Sequence, residues 1–289
     1  MNWGNSHDAV KLINGVEMPV IGYGTWKAPD NEITRNNVIT AIQSGYRHID
    51  TAAAYDNEES VGEGIRYSGV DRKELFVTTK HWVSERGYKK TILACEESLR
   101  KLGLEYVDLY LVHWPSVFKT NKEWEETNLD TWRGFEQLYK DGKVRAIGVS
   151  NFLPHHLDSL MNHSTIAPMV NQIEFHPGYL QRESVAFSKY KGLVVEAWSP
   201  LGSGAVLNNE LLGIIAAKYG KTVAQLCIRF ALQNGIVPLP KSSSKERIES
   251  NLNVFDFNIC EEDMEIISDM PITGYSGFYA EDAPAESYK

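Results

Sequence analysis

With 289 residues, 43% of them hydrophobic and 23% charged, the chain has the composition of an ordinary globular protein and is long enough to bury a large core. Its length allows either two domains or one α/β barrel, which runs to about 250 residues. The net charge of −9 argues against nucleic acid as the main partner, and no apolar run reaches the ~18 residues of a membrane span.

Strand and helix signals alternate from one end of the chain to the other. The first is a hairpin, because residues 11–13 and 16–18 flank Asn14-Gly15, the signature of a two-residue type I′ turn. Short apolar runs then predict eight buried strands. These strands cover residues 20–23, 48–50, 76–80, 108–112, 146–149, 169–174, 194–197 and 237–239.

Helical patterns fill the segments between the predicted strands. They cover residues 34–44, 88–102, 128–139, 154–161 and 223–233. Gly45 and Gly103 follow the first two as C-cap signals, and Ser150-Asn151 precede the fourth. Eight strand–helix units predict a closed (β/α)8 TIM barrel, an α/β fold in which residues 1–289 form a single domain and the hairpin caps the bottom.

An open doubly wound sheet is the alternative fold. The segment from Gly22 to Thr25 lacks the third glycine of the Rossmann fingerprint, and no acidic residue sits where ribose binding would need one. The three cysteines lie far apart without CxxC spacing, and the N-terminus lacks an apolar signal core. These features predict a cytoplasmic protein without a disulfide framework.

Polar residues occur at the ends of six successive predicted strands. They are Asp50, Lys80, His113, Ser150-Asn151, Gln172 and Ser199. Catalytic groups of a barrel lie at the C-terminal ends of its strands, so these side chains are expected to share one face. Individually, Asp50 could cap a helix, Tyr55 could pack as an aromatic and His113 could be a core histidine. The joint pattern favours a functional site.

Asp50, Tyr55, Lys80 and His113 form a candidate site for moving a proton. A nearby Lys80 ammonium would lower the Tyr55 pKa from its reference value of about 10, and Asp50 would hold Lys80 charged. His113 would hydrogen-bond a substrate oxygen. Such a site lacks a nucleophile, and hydride from a nicotinamide is the obvious missing reagent. No metal site is predicted, because His48 and His113 lack an HxxxH or matching carboxylate set.

The segments HIDTAAAY, FVTTK, VHWP, GVSNF, NQIEFHP, WSPLG and PLPKSSSKERIESN occur in the order seen in the aldo-keto reductases. The chain resembles this family over nearly its whole length and is similar to its short bacterial 2,5-diketo-D-gluconate reductase and prostaglandin F synthase-like members. The resemblance implies a (β/α)8 barrel and an NADPH-dependent carbonyl reductase. Tyr55 would be the general acid, Asp50 and Lys80 would tune it, and His113 would orient the carbonyl.

The same resemblance implies a set of contacts to NADPH/NADP+. Those to the nicotinamide would come from Ser150, Asn151 and Gln172, which bond the carboxamide, and from Trp198, which stacks on the ring. Those along the pyrophosphate would come from Ser199, Leu201, Gly202 and Ser203. Those around the adenosine 2′-phosphate would come from Lys241, Ser242, Ser243 and Arg247. Gly24, Thr25, Trp26, Asp50 and Asn251 complete the predicted cofactor set.

The predicted phosphate pocket also makes physical sense. A helix N-terminus, serine hydroxyls, the Lys241 ammonium and the Arg247 guanidinium together suit a phosphate. An ordinary capped helix start is the alternative interpretation. Many relatives carry a glutamate directly before the residue that matches Asn251, where it contacts adenine. This chain has Ser250 there, which weakens the adenine contact and leaves the 2′-phosphate contacts in place.

Aromatic residues are predicted to wall the substrate pocket beside Tyr55 and His113. By the resemblance these are Trp26, Trp82 and Trp114, for each of which rim packing is the alternative. Phe118 and Trp124 are further candidates for the wall or for packing. The short C-terminal loop carries Tyr275, Phe278 and Tyr279 and predicts an open pocket with broad substrate tolerance.

Two other functions compete with carbonyl reduction. One is a nicotinamide-binding sensor or regulatory subunit with little turnover, against which the complete set of four candidate catalytic residues argues. The other is a barrel hydrolase or isomerase, against which the missing metal set and the phosphate pocket argue. The expected partner is a small-molecule carbonyl substrate, with neither nucleic acid nor a membrane, and the chain is expected to be a monomer.

Overall fold

The computed structural model describes residues 3–117 and 119–282, and eight parallel strands form the centre of this part of the chain. An antiparallel hairpin of β1 (Ala9–Lys11) and β2 (Glu17–Pro19) precedes them. The eight strands pair in chain order, each parallel to the next. They are β3 (Tyr23–Gly24), β4 (His48–Asp50), β5 (Phe76–His81), β6 (Val107–Val112), β7 (Val144–Ser150), β8 (Val170–Glu174), β9 (Val194–Trp198) and β10 (Val237–Pro238).

The sheet closes on itself through the chain around its first and last strands. Gly22 N donates to Pro238 O at 3.0 Å, and Gly24 N donates to Pro240 O at 3.1 Å. A Cβ on Gly24 would lie only 2.8 Å from Leu239 O, so this approach requires glycine. These bonds convert the eight-stranded sheet into the predicted (β/α)8 barrel.

Helices surround the barrel, and the sequence predicted some of them better than others. They are α1 (Glu32–Gln43), α2 (Glu58–Tyr67), α3 (Tyr88–Leu102), α4 (Trp124–Lys140), α5 (Pro154–His163), α6 (Arg182–Tyr190), α7 (Glu210–Lys218), α8 (Val223–Gln233), α9 (Lys245–Leu252) and α10 (Glu261–Ser268). The five predicted helical patterns overlap α1, α3, α4, α5 and α8, and the helix predicted around residues 246–251 at the phosphate pocket is α9. The sequence did not predict α2, α6, α7 and α10.

Helix α2 was missed because its sequence contains two glycines, which usually weaken a helix. Here both glycines permit close packing. A Cβ on Gly62 would lie 2.1 Å from Leu102 O at the end of α3, and a Cβ on Gly64 would lie 2.6 Å from Val38 Cβ on α1. The two glycines therefore allow α2 to pack between its neighbours.

The hairpin differs from its prediction in both strand bounds and turn type. Leu12 N donates to Val16 O and Gly15 N donates to Leu12 O, each at 2.8 Å, which leaves a three-residue loop with Gly15 at φ 88°. This is a type I turn followed by a left-handed glycine rather than a type I′ turn. Asn14 Nδ2 donates to Arg145 O at 2.9 Å near the start of β7, which holds the loop against the bottom of the barrel.

Among the described residues, no single helix is long and apolar enough to span a membrane. Helices α7 and α8 reach that length and hydropathy only when they are taken together, and the chain bends by 80° between them.

Gly62→Ala should lower the free energy of unfolding by about 2–3 kcal/mol, because its Cβ would collide with backbone rather than with a movable side chain. Gly213→Ala in α7 is the matched control. A Cβ there meets nothing within 4 Å, so alanine should stabilise the helix by about 0.5–1 kcal/mol. Denaturant unfolding measures both variants, and equal effects would contradict the packing role of Gly62.

Candidate active site

A buried ammonium holds three of the four predicted catalytic residues together. Lys80 is fully buried in β5, and its Nζ donates to Asp50 Oδ1 at 2.7 Å, to Thr51 O at 2.9 Å and to Tyr55 Oη at 3.3 Å. Asp50 ends β4, and Tyr55 lies in the short 3₁₀ turn that follows it. Since a buried charge requires a partner, the ion pair with Asp50 compensates for the desolvation of Lys80.

The pKa of Tyr55 lies well above its usual value of 10, because burial and then the negative charge of Asp50 both disfavour the phenolate. The prediction that Lys80 would lower this pKa is wrong for the structure described. Lys80 directs its shortest hydrogen bond to Asp50, and burial together with the charge of Asp50 sets the direction of the Tyr55 shift. Tyr55 is therefore a neutral phenol at neutral pH and keeps a proton that it can donate.

His113 directly follows β6 and faces Tyr55. The Tyr55 and His113 ring centroids are 5.6 Å apart in an edge-on arrangement, and the Trp82 ring is also edge-on to the imidazole, with its centroid 5.2 Å away. Burial, then the charges of Lys80 and His81, hold the pKa of His113 well below 6.5. His113 is therefore a neutral imidazole, which can donate one N–H to an oxygen placed beside Tyr55.

A second group of predicted residues is joined by hydrogen bonds across β7, β8 and β9. Asn151 Nδ2 donates to His113 O and to Ser150 Oγ, each at 3.0 Å, and Asn151 Oδ1 accepts from Trp198 Nε1 at 2.8 Å. Ser150 Oγ in turn donates to Gln172 O at 2.8 Å. These bonds fix the plane of the Trp198 indole and join it to the strand end that carries His113.

These side chains line a cavity of about 300 Å³ at the C-terminal ends of the strands. The predicted residues along its wall are Gly24, Trp26, Asp50, Tyr55, His113, Asn151, Gln172, Trp198, Ser199, Leu201, Ser203 and Lys241. Lining residues that the sequence did not indicate are Lys27, Pro200, Gly204, Leu207 and Leu239.

Some predicted cofactor residues lie behind this wall. Thr25 is fully buried, and its hydroxyl donates to Asp50 O at 2.9 Å, so it supports the strand end. Gly202 is buried against His176, with φ 54°. Ser150 and Asn251 are also buried, and Asn251 lies near the end of α9.

One end of the cavity gathers positive charge. Lys27 and Lys241 both line it, and the Arg247 guanidinium donates from Nε to Ser242 Oγ at 3.1 Å. Partial burial, then the charges of Arg247 and Lys27, lower the pKa of Lys241. Ser244 caps the N-terminus of α9 beside this cluster, and Ser243 is exposed next to it. Three cations that repel one another at a helix N-terminus are suited to an anion.

Among the tryptophans predicted to wall the substrate pocket, Trp26 lines the cavity, whereas Trp82 and Trp114 are buried in a cluster that packs against Tyr55. Phe278 lies 6.3 Å from Trp26 and 6.4 Å from Trp114, both edge-on, and Trp82 belongs to the same buried cluster. Trp124 instead packs edge-on against His156 at 5.3 Å, so it faces α5. The other aromatic residues differ: Tyr275 stacks on Tyr179 at 4.5 Å, Tyr279 is exposed, and Phe118 lies outside the described residues.

The C-terminal segment that carries Phe278 is anchored at both ends. Glu174, buried at the end of β8, accepts from Ser276 N at 3.0 Å and from Ser276 Oγ at 2.7 Å, and Ser276 Oγ accepts from Phe278 N at 3.2 Å. Glu281 pairs with His155 Nε2 at 2.9 Å on α5. Sequence reasoning missed Glu174, although a carboxylate at a strand end was the signal used for Asp50.

His155, His156 and Glu281 have the spacing of a metal-binding group. However, Nδ1 of His156 accepts from Leu153 N at 3.2 Å, which leaves the proton of the neutral ring on Nε2, the atom that faces Glu281. These residues are therefore better described as a polar anchor of the C-terminal segment, in which both imidazoles face the Glu281 carboxylate, than as a metal site.

Residues 20–271 match the family model described as the Aldo/keto reductase family. The chain belongs to this family. It is 51% identical over 268 residues to a 9,11-endoperoxide prostaglandin H2 reductase of Trypanosoma cruzi, covering 92% of both chains. It is also 51% identical over 260 residues to a glyoxal reductase of Bacillus subtilis, covering 90% of this chain and 91% of that one. The family resemblance predicted from the motifs is thereby confirmed.

Solved aldo-keto reductase structures share the fold of this chain. An enzyme from a Medee basin deep-sea metagenome library, MGS-M4, superposes with a TM-score of 0.90 at 44% identity, covering 96% of this chain and 100% of that one. A Bombyx mori aldo-keto reductase in complex with NADP superposes with a TM-score of 0.86 at 36% identity, covering 95% of each chain. These neighbours agree with the barrel described above.

Ser276→Ala should loosen the C-terminal segment, because it removes one hydrogen bond to the Glu174 carboxylate and one from Phe278 N. Charge-assisted hydrogen bonds contribute about 1.5–3 kcal/mol, so amide exchange in residues 271–282 should accelerate by about tenfold or more. Ser268→Ala on α10 is the control and should leave exchange in this segment unchanged. Unaltered protection in Ser276→Ala would contradict the anchoring role of Glu174.

Proposed function

We propose that this protein is an NADPH-dependent carbonyl reductase that converts aldehydes and ketones to alcohols, with Tyr55 as the proton donor. The observation that carries the proposal is the hydrogen-bonded set of Tyr55, Lys80 and Asp50, whose Tyr55 lines the same cavity as His113. The chain also belongs to a family of oxidoreductases. A proton donor and an oxyanion-orienting group on one cavity fit carbonyl reduction, in which a hydride from the cofactor is the nucleophile.

The residues around the cavity fit a nicotinamide cofactor. Both hydrogens of Gln172 Nε2 are taken by carboxylates, so its amide oxygen is the atom that can accept from a carboxamide. Trp198, held by Asn151, offers a flat indole face for the nicotinamide ring. When bound, NADPH would supply a hydride to the carbonyl carbon.

The protein residues would then deliver the proton to the carbonyl oxygen. His113, as a neutral imidazole, donates a hydrogen bond that orients this oxygen beside Tyr55. As the oxygen gains negative charge it becomes more basic than the phenolate, and the Tyr55 proton moves to it. Lys80 Nζ, 3.3 Å from Tyr55 Oη, stabilises the phenolate left behind. Hydride and proton together convert C=O to an alcohol, and solvent later restores the Tyr55 proton.

The choice of NADPH over NADH would depend on the cation cluster. Lys241 and Arg247 would bind the adenosine 2′-phosphate together with the serine hydroxyls, and Lys27 would face the adjoining phosphates. Ser250 replaces the glutamate that contacts adenine in many members of the resembled family, so we expect the adenine to make weaker contacts with this chain.

We also propose that the enzyme works as a single-domain cytoplasmic monomer. Free Cys95, Cys227 and Cys260 suit a reducing compartment. Its substrates would be small aldehydes and ketones of varied shape. Relatives named for glyoxal and for prostaglandin H2, two very different compounds, support broad tolerance.

Tyr55→Phe should lower kcat/KM for aldehyde reduction by about 10²–10⁴-fold, because it removes the donated proton while keeping the ring. NADPH binding, followed by protein fluorescence, should survive. Tyr67→Phe, an exposed tyrosine on α2, is the control and should retain full activity. Absorbance of the reduced cofactor measures turnover. A Tyr55→Phe variant that reduces aldehydes at the native rate would contradict the proposed role of Tyr55.

Lys241→Ala and Arg247→Ala should each weaken NADPH binding by about 10–100-fold, because each removes a charge-assisted hydrogen bond to the 2′-phosphate. NADH binding should change little. Lys245→Ala is a matched control on the same helix, since Lys245 pairs with Glu249 at 3.8 Å. Equal losses for both cofactors in the first two variants would rule out the 2′-phosphate assignment.

A further inference from the structure

A second buried carboxylate lies inside the barrel beneath the proposed active site. Glu196 on β9 is in register with Gln172 on β8 and is fully buried. Gln172 Nε2 donates both to Asp50 Oδ2, at 2.9 Å, and to Glu196 Oε2, at 3.0 Å. The Gln172 amide group thus joins Glu196 to Asp50, the ion-pair partner of Lys80. Glu196 has no part in the proton transfer proposed above.

Residues from four other strands surround Glu196, and the charged and titratable ones among them come from β4 and β5. Strand β4 presents Asp50 and His48, β5 presents Lys80, β8 presents the neutral Gln172, and Val237 on β10 is apolar. His48 Nε2 lies 3.6 Å from Glu196 Oε1 and within 3.0 Å of Thr78 Oγ1. Burial and Lys80 lower the pKa of His48 to about 3, so this imidazole is neutral.

The charge of this interior therefore depends on Glu196. Asp50 and Lys80 form an ion pair, so their opposite charges cancel. Glu196 Oε1 has no hydrogen-bond partner among the described residues, so the Gln172 hydrogen bond to Oε2 and the charge of Lys80 only partly compensate the buried negative form. Burial, then Asp50, raise the pKa of Glu196 to about 8. The interior has no net charge when Glu196 is protonated and carries one negative charge when Glu196 is ionised.

We propose that Glu196 is a positioning residue that acts through Gln172 and that its charge selects between the oxidised and the reduced cofactor. This inference rests on the proposed function. The nicotinamide ring carries a positive charge in NADP+ and none in NADPH, and Gln172 is the group that joins Glu196 to the cavity wall. An ionised Glu196 attracts the oxidised ring, and a protonated Glu196 favours neither.

The sign of the pH dependence follows from this attraction. Below pH 8 Glu196 is mainly neutral and does not discriminate between NADPH and NADP+. Above that pH Glu196 is negative, and NADP+ gains affinity relative to NADPH. Two unit charges separated by several ångströms of partly polar protein interact strongly enough to shift the affinity ratio on the order of tenfold. By linkage, NADP+ binding near pH 8 must release protons from the protein, and NADPH binding must release fewer.

The test measures the dissociation constants of NADP+ and NADPH from pH 6.5 to 9.5 by protein fluorescence. Their ratio cancels titrations common to both cofactors, such as that of the 2′-phosphate. In the native enzyme the ratio of the NADP+ constant to the NADPH constant should fall about tenfold across this range. In Glu196→Gln, which keeps the size and an acceptor for Gln172, the ratio should be flat. Glu136→Gln, another buried carboxylate, lies on α4 and should retain the native slope.

A second measurement needs only the native protein. Calorimetry of cofactor binding at pH 8 in two buffers of different ionisation enthalpy counts the protons released, and NADP+ should release more than NADPH. Equal release, a ratio that does not change with pH, or a native slope in Glu196→Gln would overturn the role of Glu196 while leaving carbonyl reduction intact. Failure of the native protein to bind either cofactor would instead overturn the proposed function itself.

Discussion

The buried ion pair between Lys80 and Asp50 is the interaction on which the rest of the site depends. A fully buried ammonium is tolerated only when each of its hydrogens has an acceptor, and Asp50, the Thr51 carbonyl and the Tyr55 hydroxyl provide three. The same three bonds set the position of Tyr55. Asp50 is fixed in turn by Gln172, so the orientation of the proton donor is determined by residues on three strands.

Barrel closure is what makes this geometry possible. Residues 50, 80, 113 and 172 are far apart in sequence, and parallel strands that join edge to edge bring their C-terminal ends into one ring. Closure requires the backbone of β3 to contact the backbone of the residues that follow β10. Gly24 permits this approach because it has no Cβ, and the Cβ of any other residue would collide with Leu239 O. Gly24, where the barrel closes, therefore contributes to the geometry of the same site as the charged residues on the other strands.

The sequence predicted the strands and most of the cavity wall because both depend on local patterns. Apolar runs mark buried strands, and polar residues at their ends mark the C-terminal face. It failed where tertiary packing overrode local signals, as in α2, whose glycines look like helix breakers and serve as contact points for α1 and α3. The hairpin loop is likewise held by a long-range hydrogen bond from Asn14 to Arg145 O in β7, a contact that no local pattern reveals.

The direction of the Tyr55 pKa shift was not predicted for a different reason: burial and Asp50 both raise this pKa, and neither effect is visible from the spacing of Tyr55 and Lys80 in the sequence. A raised pKa keeps the Tyr55 phenol protonated but makes it a weaker acid. Proton transfer therefore depends on the substrate oxygen, which becomes a stronger base than the phenolate as it gains negative charge. Lys80 then acts on the phenolate that forms, and not on the resting phenol. The ion pair with Asp50 therefore keeps an ammonium ready without removing the proton that the reaction needs.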